Sequence, residues 1–303
     1  MGELGRWDVA RRRRWAGRPT GRGRARRRCA GWCPLIEVVD DRIDEAAAAR
    51  FALDYADRPE CPLAVVIAAY NEEGGIGAVV RAIPAEVQGL AAETIVVVDG
   101  STDETADAAR RAGAMVCDVG ANRGQGAALR LGYRLARQRG ARYIATLDAD
   151  GQYDPDELAT VVAPLLDGRA DMVTGSRRLG VSHTTDRTRA AGVVVFGALI
   201  TVLTRTRITD PANGLRAMRA DVTATVTLAQ PQYQASELLV GAILQGYRVI
   251  EVPVTMHARS AGTTKKGGNL LYGLRFCRVV VGTWWRERQR PGLRVGSAKI
   301  TSS

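Results

Sequence analysis

An α/β fold with a mostly parallel sheet flanked by helices is the expectation for this chain, and three observations carry it. Apolar runs without polar alternation recur at 63–69, 94–98 and 143–147, as strands covered on both faces require. Helical signals separate them, an order that implies right-handed crossovers in a parallel sheet. Each run also ends in a polar cluster, and in such sheets ligands bind at the carboxyl ends of the strands.

The elements follow from Pro62 onward. Leu63–Ala69 is the first strand, and a helix is expected over Gly75–Val87. Thr94–Val98 is the second strand; Ser101-Thr-Asp-Glu104 then fits a capping box opening a helix through Ala112. Met115–Cys117 reads as a short third strand, Gln125–Arg139 as a helix, and Tyr143–Leu147 as the fourth strand. Asp154 suits the cap of a helix that starts at Pro155. Further on, Asp171–Thr174 is a strand, Ala190–Leu203 a buried or interfacial helix, Ser236–Gln245 a helix, and Glu251–Val254 belongs to the last strand.

With 303 residues the chain can bury a substantial core. The net charge of +11 suggests a nucleic-acid partner, yet residues 1–28 carry eleven Arg against Glu3 and Asp8, nine of those charges. The remainder is near neutral, so residues 1–58 are expected to be an Arg-rich disordered tail and linker, 59–268 the folded domain, and 269–303 an amphipathic helix and tail. The leading segment has no apolar h-region and does not read as a secretory leader. The cysteines at 29, 33, 61, 117 and 277 are scattered and fit reduced thiols in the cytoplasm. No run reaches the roughly 18 apolar residues of a membrane span.

Asp148-Ala149-Asp150-Gly151 stands where the fourth strand ends. Two carboxylates at i and i+2 repel each other and lose hydration, a cost that a cation offsets. Hard oxygen ligands suit Mg²⁺ or Mn²⁺, and Gln152 adds a third oxygen at the same spacing. The plainer alternative is a polar turn ahead of the Asp154 cap. Tyr70-Asn71-Glu72 after the first strand and Asp99-Gly-Ser-Thr-Asp103 after the second converge on the same edge, and that joint occurrence favours a pocket.

Seven ordered blocks then resemble the family 2 glycosyltransferases of the GT-A fold, and within them the polyprenyl- or dolichyl-phosphate sugar transferases. They are Val65–Glu73, Val96–Asp103, Asn122–Gly126, Leu147–Gln152, Gly175–Arg177, Asp210–Arg216, and Glu251–Val254 with Arg259, within about residues 62–285. One departure is Val98, where that family usually has a second acid before Gly-Ser. The resemblance implies a Rossmann-like GT-A domain and an inverting, metal-dependent transfer of a hexose from a nucleotide diphosphate sugar to a polyprenyl phosphate. Asp148, Asp150 and Gln152 would hold Mg²⁺ or Mn²⁺ against the departing diphosphate. Ala69, Tyr70, Asn71, Glu72, Asp99 and Asp148 would line the donor nucleotide, and Arg177, Arg189 and Arg259 the acceptor phosphate.

Asp210 occupies the place of a candidate base, with Glu237 as its competitor; an alcohol acceptor needs a base and a phosphate does not. His183 and His257 read as ordinary loop residues, and Gly124-Gln-Gly126 as a turn opening a helix. From Leu270 to Trp285 an apolar stretch interrupted by Arg275 and Arg278 fits either an amphipathic helix at a lipid surface or one packed on the domain. The lipid reading implies a peripheral position at the inner face of the cell membrane. Three rivals stay open: transfer to an alcohol acceptor, sugar-phosphate nucleotidyl transfer, and nucleic-acid binding by the tail. The turn at Tyr70 lacks the basic residues of a triphosphate loop, and the tail lacks an aromatic platform, so no specific nucleic acid is expected.

Overall fold

The structure, a computed structural model, describes residues 34–183, 187–230, 232–258 and 269–289. In order these form α1 (Pro34–Asp54), β1 (Leu63–Ala69), α2 (Ile76–Ala82), β2 (Glu86–Val87), β3 (Leu90–Val98), α3 (Thr105–Arg111), β4 (Met115–Asp118), α4 (Gln125–Gln138) and β5 (Tyr143–Thr146). A 3₁₀ turn, Pro155–Glu157, leads into α5 (Leu158–Leu166), β6 (Met172–Ser182), α6 (Arg187–Thr204), β7 (Arg216–Arg219), α7 (Ala220–Thr225), α8 (Gln234–Leu244), β8 (Val249–Met256) and α9 (Asn269–Arg288).

The sheet runs β2-β3-β1-β5-β7-β6-β8, with β4 on the far side of β3. Its first half is parallel apart from the two-residue β2, which lies antiparallel to β3: β1 pairs with β3 and β5, and β3 with β4. In the second half β7 lies antiparallel between β5 and β6, while β6 and β8 are parallel. The sheet is therefore mixed. Strand β7 carries Arg at both ends of a four-residue run and offers no apolar pattern, which is why the sequence does not announce it.

The central strands serve two apolar layers at once. Ala64 and Val66 of β1 face the layer containing Leu131, Leu135 and Ile144, whereas Leu63, Val65 and Ile67 face the layer containing Ile76, Val161 and Val162. All seven β1 residues except Ala68 are buried, so the period-2 pattern vanishes and the strand reads as a continuous apolar run. Each such Val, Ile or Leu contributes roughly 1.5–3 kcal/mol.

Three local expectations are corrected. The helix drawn to Val87 stops at Ala82 because Pro84 cannot continue it; Glu86–Val87 instead pairs with β3 through a tight turn in which Gln88 and Gly89 have φ of 54° and 76°. The capping box at Ser101 does not form. Glu104 is the N-cap of α3 without a side-chain bond, and Asp103 Oδ1 accepts from Thr105 N at 3.1 Å. Within the stretch read as tail and linker, α1 docks on the domain: Ala48 and Phe51 are buried in the core, and Val116 N donates to Tyr55 Oη at 2.8 Å. The Arg-rich residues 1–28 lie outside the described residues.

The Asp154 cap forms as expected, its side chain accepting from Asp156 N. Helix α9 packs on the domain along one face. Phe276, Val280 and Thr283 are buried among its contacts with α8 and α6, while Leu274, Val281 and Trp285 are exposed. Trp284 is fixed to the protein, its Nε1 donating to Leu203 O at 2.8 Å. Among the described residues no helix is long and apolar enough to cross a membrane.

Candidate functional site

The carboxyl ends of β1, β3 and β5 meet at one edge of the sheet. Asn71 adopts a left-handed φ of 52° just beyond β1. Its amide donates to Ser101 Oγ at 3.0 Å and its side-chain oxygen accepts from Thr102 N at 2.9 Å. Glu72 N donates to Thr105 Oγ1 at 2.8 Å, and Glu104 N donates to a Glu73 carboxylate oxygen at 3.0 Å. The two loops therefore clasp one another, and the residues assigned to a capping box are consumed in that clasp. Ala69 O accepts from Asp99 N at 2.9 Å, which fixes the start of both loops.

Asp99 is buried. One oxygen, Oδ2, accepts from the backbone N–H of Arg123 at 2.9 Å and of Gly124 at 2.7 Å, at the turn where Gly124 takes a φ of 93° before α4. Burial raises the Asp99 pKa, and those two amides and the Arg123 charge only partly oppose it.

Beyond β5, Asp148 and Asp150 are half-buried, and Gln152 is buried. Gln152 N donates to Asp150 Oδ1 at 3.2 Å, and Gln152 exchanges hydrogen bonds with His257: His257 N to Gln152 O at 2.8 Å, Gln152 Nε2 to His257 O at 3.2 Å. A Cβ on Gly214 would collide with the Asp148 carboxylate, so the Asn213-Gly214 turn must lack a side chain there. Among the described residues no three His, Cys, Asp or Glu side chains gather into a metal cluster. Two carboxylates and an amide suit Mg²⁺ or Mn²⁺, which keep coordination positions for water and substrate phosphate.

The other side of that turn holds an ion pair. Arg177, in β6, donates from Nε to Asp210 Oδ2 and from Nη2 to Asp210 Oδ1, both at 2.6 Å, and its amide also donates to Oδ2. Asn213 Nδ2 lies 3.4 Å from the same oxygen. Burial pushes the Asp210 pKa up, but the Arg177 guanidinium outweighs it and holds the carboxyl below its ordinary range. Behind it, Glu251 of β8 accepts from Thr209 N, Thr209 Oγ1 and Asp210 N, each at 2.8 Å. Arg216 is almost wholly buried and gives its donors to the carbonyls of Asn213, Pro211 and Ala235.

The sequence pointed to Asp210 and Arg177 separately; the structure joins them. Glu237, the competing carboxylate, sits elsewhere, accepting from Ala229 N, Gln230 N and Arg286 Nη1 and so tying α8 to α9. Sequence reading gave no role to Glu251, Arg216 or Tyr153. Tyr153 Oη accepts from Gly214 N at 3.3 Å between the two carboxylate centres, and burial raises its pKa. Glu251 and Arg216 carried a signal, an acid and a cation beside apolar neighbours, where a polar group needs a partner; Tyr153, set among Asp, Gly and Gln, carried none. The two histidines read as unrelated loop residues stack, with ring centroids 5.7 Å apart. Arg259 lies outside the described residues. The backbone of Arg189 is in α6, and its side chain lies outside the description.

The family model for Glycosyl transferase family 2 matches residues 64–227. The chain is 34% identical over 203 residues to the dolichyl-phosphate hexose transferase of Haloferax volcanii, spanning 67% of this chain and 86% of that protein. It is 28% identical over 243 residues to the dodecaprenyl-phosphate galacturonate synthase of Rhizobium johnstonii, spanning 78% and 70%. Glucosyl-3-phosphoglycerate synthase from Mycobacterium tuberculosis, in complex with Mn²⁺, uridine diphosphate and glucosyl-3-phosphoglycerate, shares the fold with a TM-score of 0.57 at 22% identity, over 81% of this chain and 85% of that one. A GT-A sheet carrying these strand-end loops, with that extent of matched sequence, places the chain in glycosyl transferase family 2.

Proposed function

We propose that this enzyme moves a hexose from a nucleotide diphosphate sugar to a polyprenyl phosphate with inversion. The names of the Haloferax and Rhizobium relatives support a lipid-phosphate acceptor, and the Mycobacterium complex supports a nucleotide donor with a divalent ion. Asp148, Asp150 and Gln152 would hold Mg²⁺ or Mn²⁺, which when bound supplies charge neutralisation at the departing diphosphate. Ala69, Tyr70, Asn71, Glu72 and Asp99 would frame the nucleotide. A phosphate oxygen of the acceptor attacks the anomeric carbon while the bond to the donor's β-phosphate oxygen breaks, and the nucleoside diphosphate leaves with the electron pair.

The carrying observation is the buried Arg177–Asp210 pair beside Asp148. A carboxylate held below its ordinary range is a poor proton acceptor, as attack by an alcohol would demand. A phosphate, with a second pKa near 6, is already largely ionised and needs none. Asp210 is thus a positioning residue for Arg177, which with Arg189 and Arg259 receives the acceptor's charge. The exposed Val194, Val195 and Val202 of α6, together with Leu274, Val281 and Trp285 of α9, favour peripheral contact with the cytoplasmic membrane face.

The test is transfer from a panel of uridine- and guanosine-diphosphate hexoses, with Mn²⁺, to undecaprenyl phosphate in mixed micelles, against undecaprenol and free sugars as alcohols. Product on the lipid phosphate alone is expected; product only on an alcohol would overturn the acceptor assignment.

A further inference from the structure

Helix α1 precedes the matched family region at 64–227, yet it reaches into the donor side of the site. Arg123 lies in the turn that holds Asp99, and its side chain is only 6% exposed. Its Nη1 donates to Asp44 Oδ1 of α1, and its Nε stands 3.6 Å from Asp99 Oδ1. Among the described residues, neither Nε nor Nη2 has a hydrogen-bond partner, nor does Asp99 Oδ1. One buried guanidinium therefore stands between two carboxylates, closely bonded to Asp44 and only near Asp99.

We propose that Asp44 is a positioning residue for the donor nucleoside, acting through Arg123 on Asp99. This rests on the reading above that Asp99 meets the donor. An arginine cannot shed its proton, so a buried one requires a carboxylate, a set of carbonyls such as holds Arg216, or an escape to solvent, and among the described residues the Arg123 side chain has no carbonyl partner. With Asp44 in place, Arg123 is pinned toward α1, and the amides of Arg123 and Gly124 stay aligned on Asp99 Oδ2. Without that charge the guanidinium has two outlets. It can swing into a bidentate fork on Asp99, or leave the interior and draw the turn's amides with it. Either moves the carboxylate from its present setting. The rest of α1 is anchored independently, by Phe51 in the core, by Tyr55 Oη on Val116 N, and by Arg139 Nη1 on Tyr55 O at 3.1 Å. Neutralising Asp44 therefore tests the link to the site rather than the docking of the helix.

The experiment is calorimetric titration of the full chain, as wild type, Asp44→Asn and Phe51→Ala, with uridine diphosphate, guanosine diphosphate and inorganic pyrophosphate, each with Mn²⁺. Asp44→Asn is expected to weaken the nucleoside diphosphate that the wild type binds by about tenfold, leave pyrophosphate within about twofold, and retain a cooperative melt. Phe51→Ala is expected to lower the melting temperature without that selective loss. Wild-type affinity in Asp44→Asn, or equal weakening of nucleoside diphosphate and pyrophosphate, overturns the proposal. So does the same selective loss in Phe51→Ala. Should Asp44→Asn not fold, Arg123→Lys carries the measurement, since a single ammonium cannot span both carboxylates; the same selective weakening supports the link and wild-type affinity refutes it. A wild type that binds pyrophosphate but neither nucleotide removes the donor reading itself, an outcome separate from loss in the variant alone.

Discussion

The donor edge and the acceptor edge of this site solve the same problem in different ways. On the donor edge, polar side chains are held by backbone amides: Asp99 by those of Arg123 and Gly124, Asn71 by that of Thr102, and Asp150 by that of Gln152 in its own turn. On the acceptor edge a buried charge is held by another charge, Arg177 on Asp210, with Glu251 bracing the Asp210 backbone. Amides orient a carboxylate while leaving its charge for a ligand, which suits a site completed by a cation and a nucleotide. A bidentate pair consumes the carboxylate and fixes the arginine instead.

The widest gap between the edges is expected at Asp150. Asp150→Ala removes a proposed ligand of the departing diphosphate's cation and one acceptor for the Gln152 amide, so turnover is expected to fall at least about thousandfold, several kcal/mol of transition-state stabilisation, while the melting temperature falls by far less than on breaking a buried ion pair. Steady-state kinetics with and without EDTA, beside a thermal melt, read both. Near-normal turnover in EDTA would falsify the metal assignment.

At the acceptor edge stability and activity are expected to fall together. Removing one partner of a buried ion pair costs about 3–5 kcal/mol, so Arg177→Ala and Asp210→Asn are both expected to shift urea midpoints strongly, with the double variant losing less than the sum. Activity separates them. Arg177→Ala takes away the guanidinium proposed to meet the acceptor, whereas Asp210→Asn keeps an oxygen to orient it, so kcat/KM with undecaprenyl phosphate is expected to fall further in the arginine variant. The reverse order, with an alcohol as the working acceptor, would make Asp210 a base and undo the lipid-phosphate reading.

This contrast also explains what was legible in the sequence. The donor edge is built from strands β1, β3 and β5, apolar runs whose polar clusters follow directly, so the order of residues already displays that edge. The acceptor edge is assembled from β6, the 209–214 turn and β8, with β7 running the opposite way between β5 and β6. No local pattern pairs Arg177 with Asp210, 33 positions apart, or Glu251 with Thr209, 42 apart. Helix α1 was hidden for another reason. Its apolar residues are interleaved with Asp, Glu and Arg rather than gathered in one clear stripe, and it follows an Arg-rich segment that resembles a tail. The motifs singled out residues that the fold gathers at the strand ends, and tertiary charge pairing decides how several of them are held.

The two edges are expected to respond oppositely to pH. Asp210 has a depressed pKa in the folded chain, so its contribution is full above the unfolded carboxyl value near 3.9 and is lost as pH falls through the lower folded value. Asp99 has a raised one: its contribution is full below about 3.9 and is lost as pH rises through the folded value. Urea titrations across acid pH are expected to show a shallower acid loss in Asp210→Asn, and in Asp99→Asn a relative gain in stability that grows with pH. Parallel curves for both variants would show that neither carboxylate titrates differently on folding.

The smallest expected effect belongs to Asp99 in catalysis, and it tests whether the donor edge binds rather than reacts. Asn keeps an oxygen able to accept from the Arg123 and Gly124 amides, so the loop can stay in place while the negative charge disappears. A nucleoside contact is nearly equal in ground and transition states, and such contacts set KM more than kcat. The loss of one hydrogen bond of about 0.5–1.5 kcal/mol corresponds to a donor KM raised roughly two- to tenfold at nearly constant kcat. Steady-state kinetics at saturating acceptor separate the two constants. A fall in kcat at saturating donor, with KM unchanged, would place Asp99 with the reacting groups and erase the distinction between an edge that binds and an edge that orients.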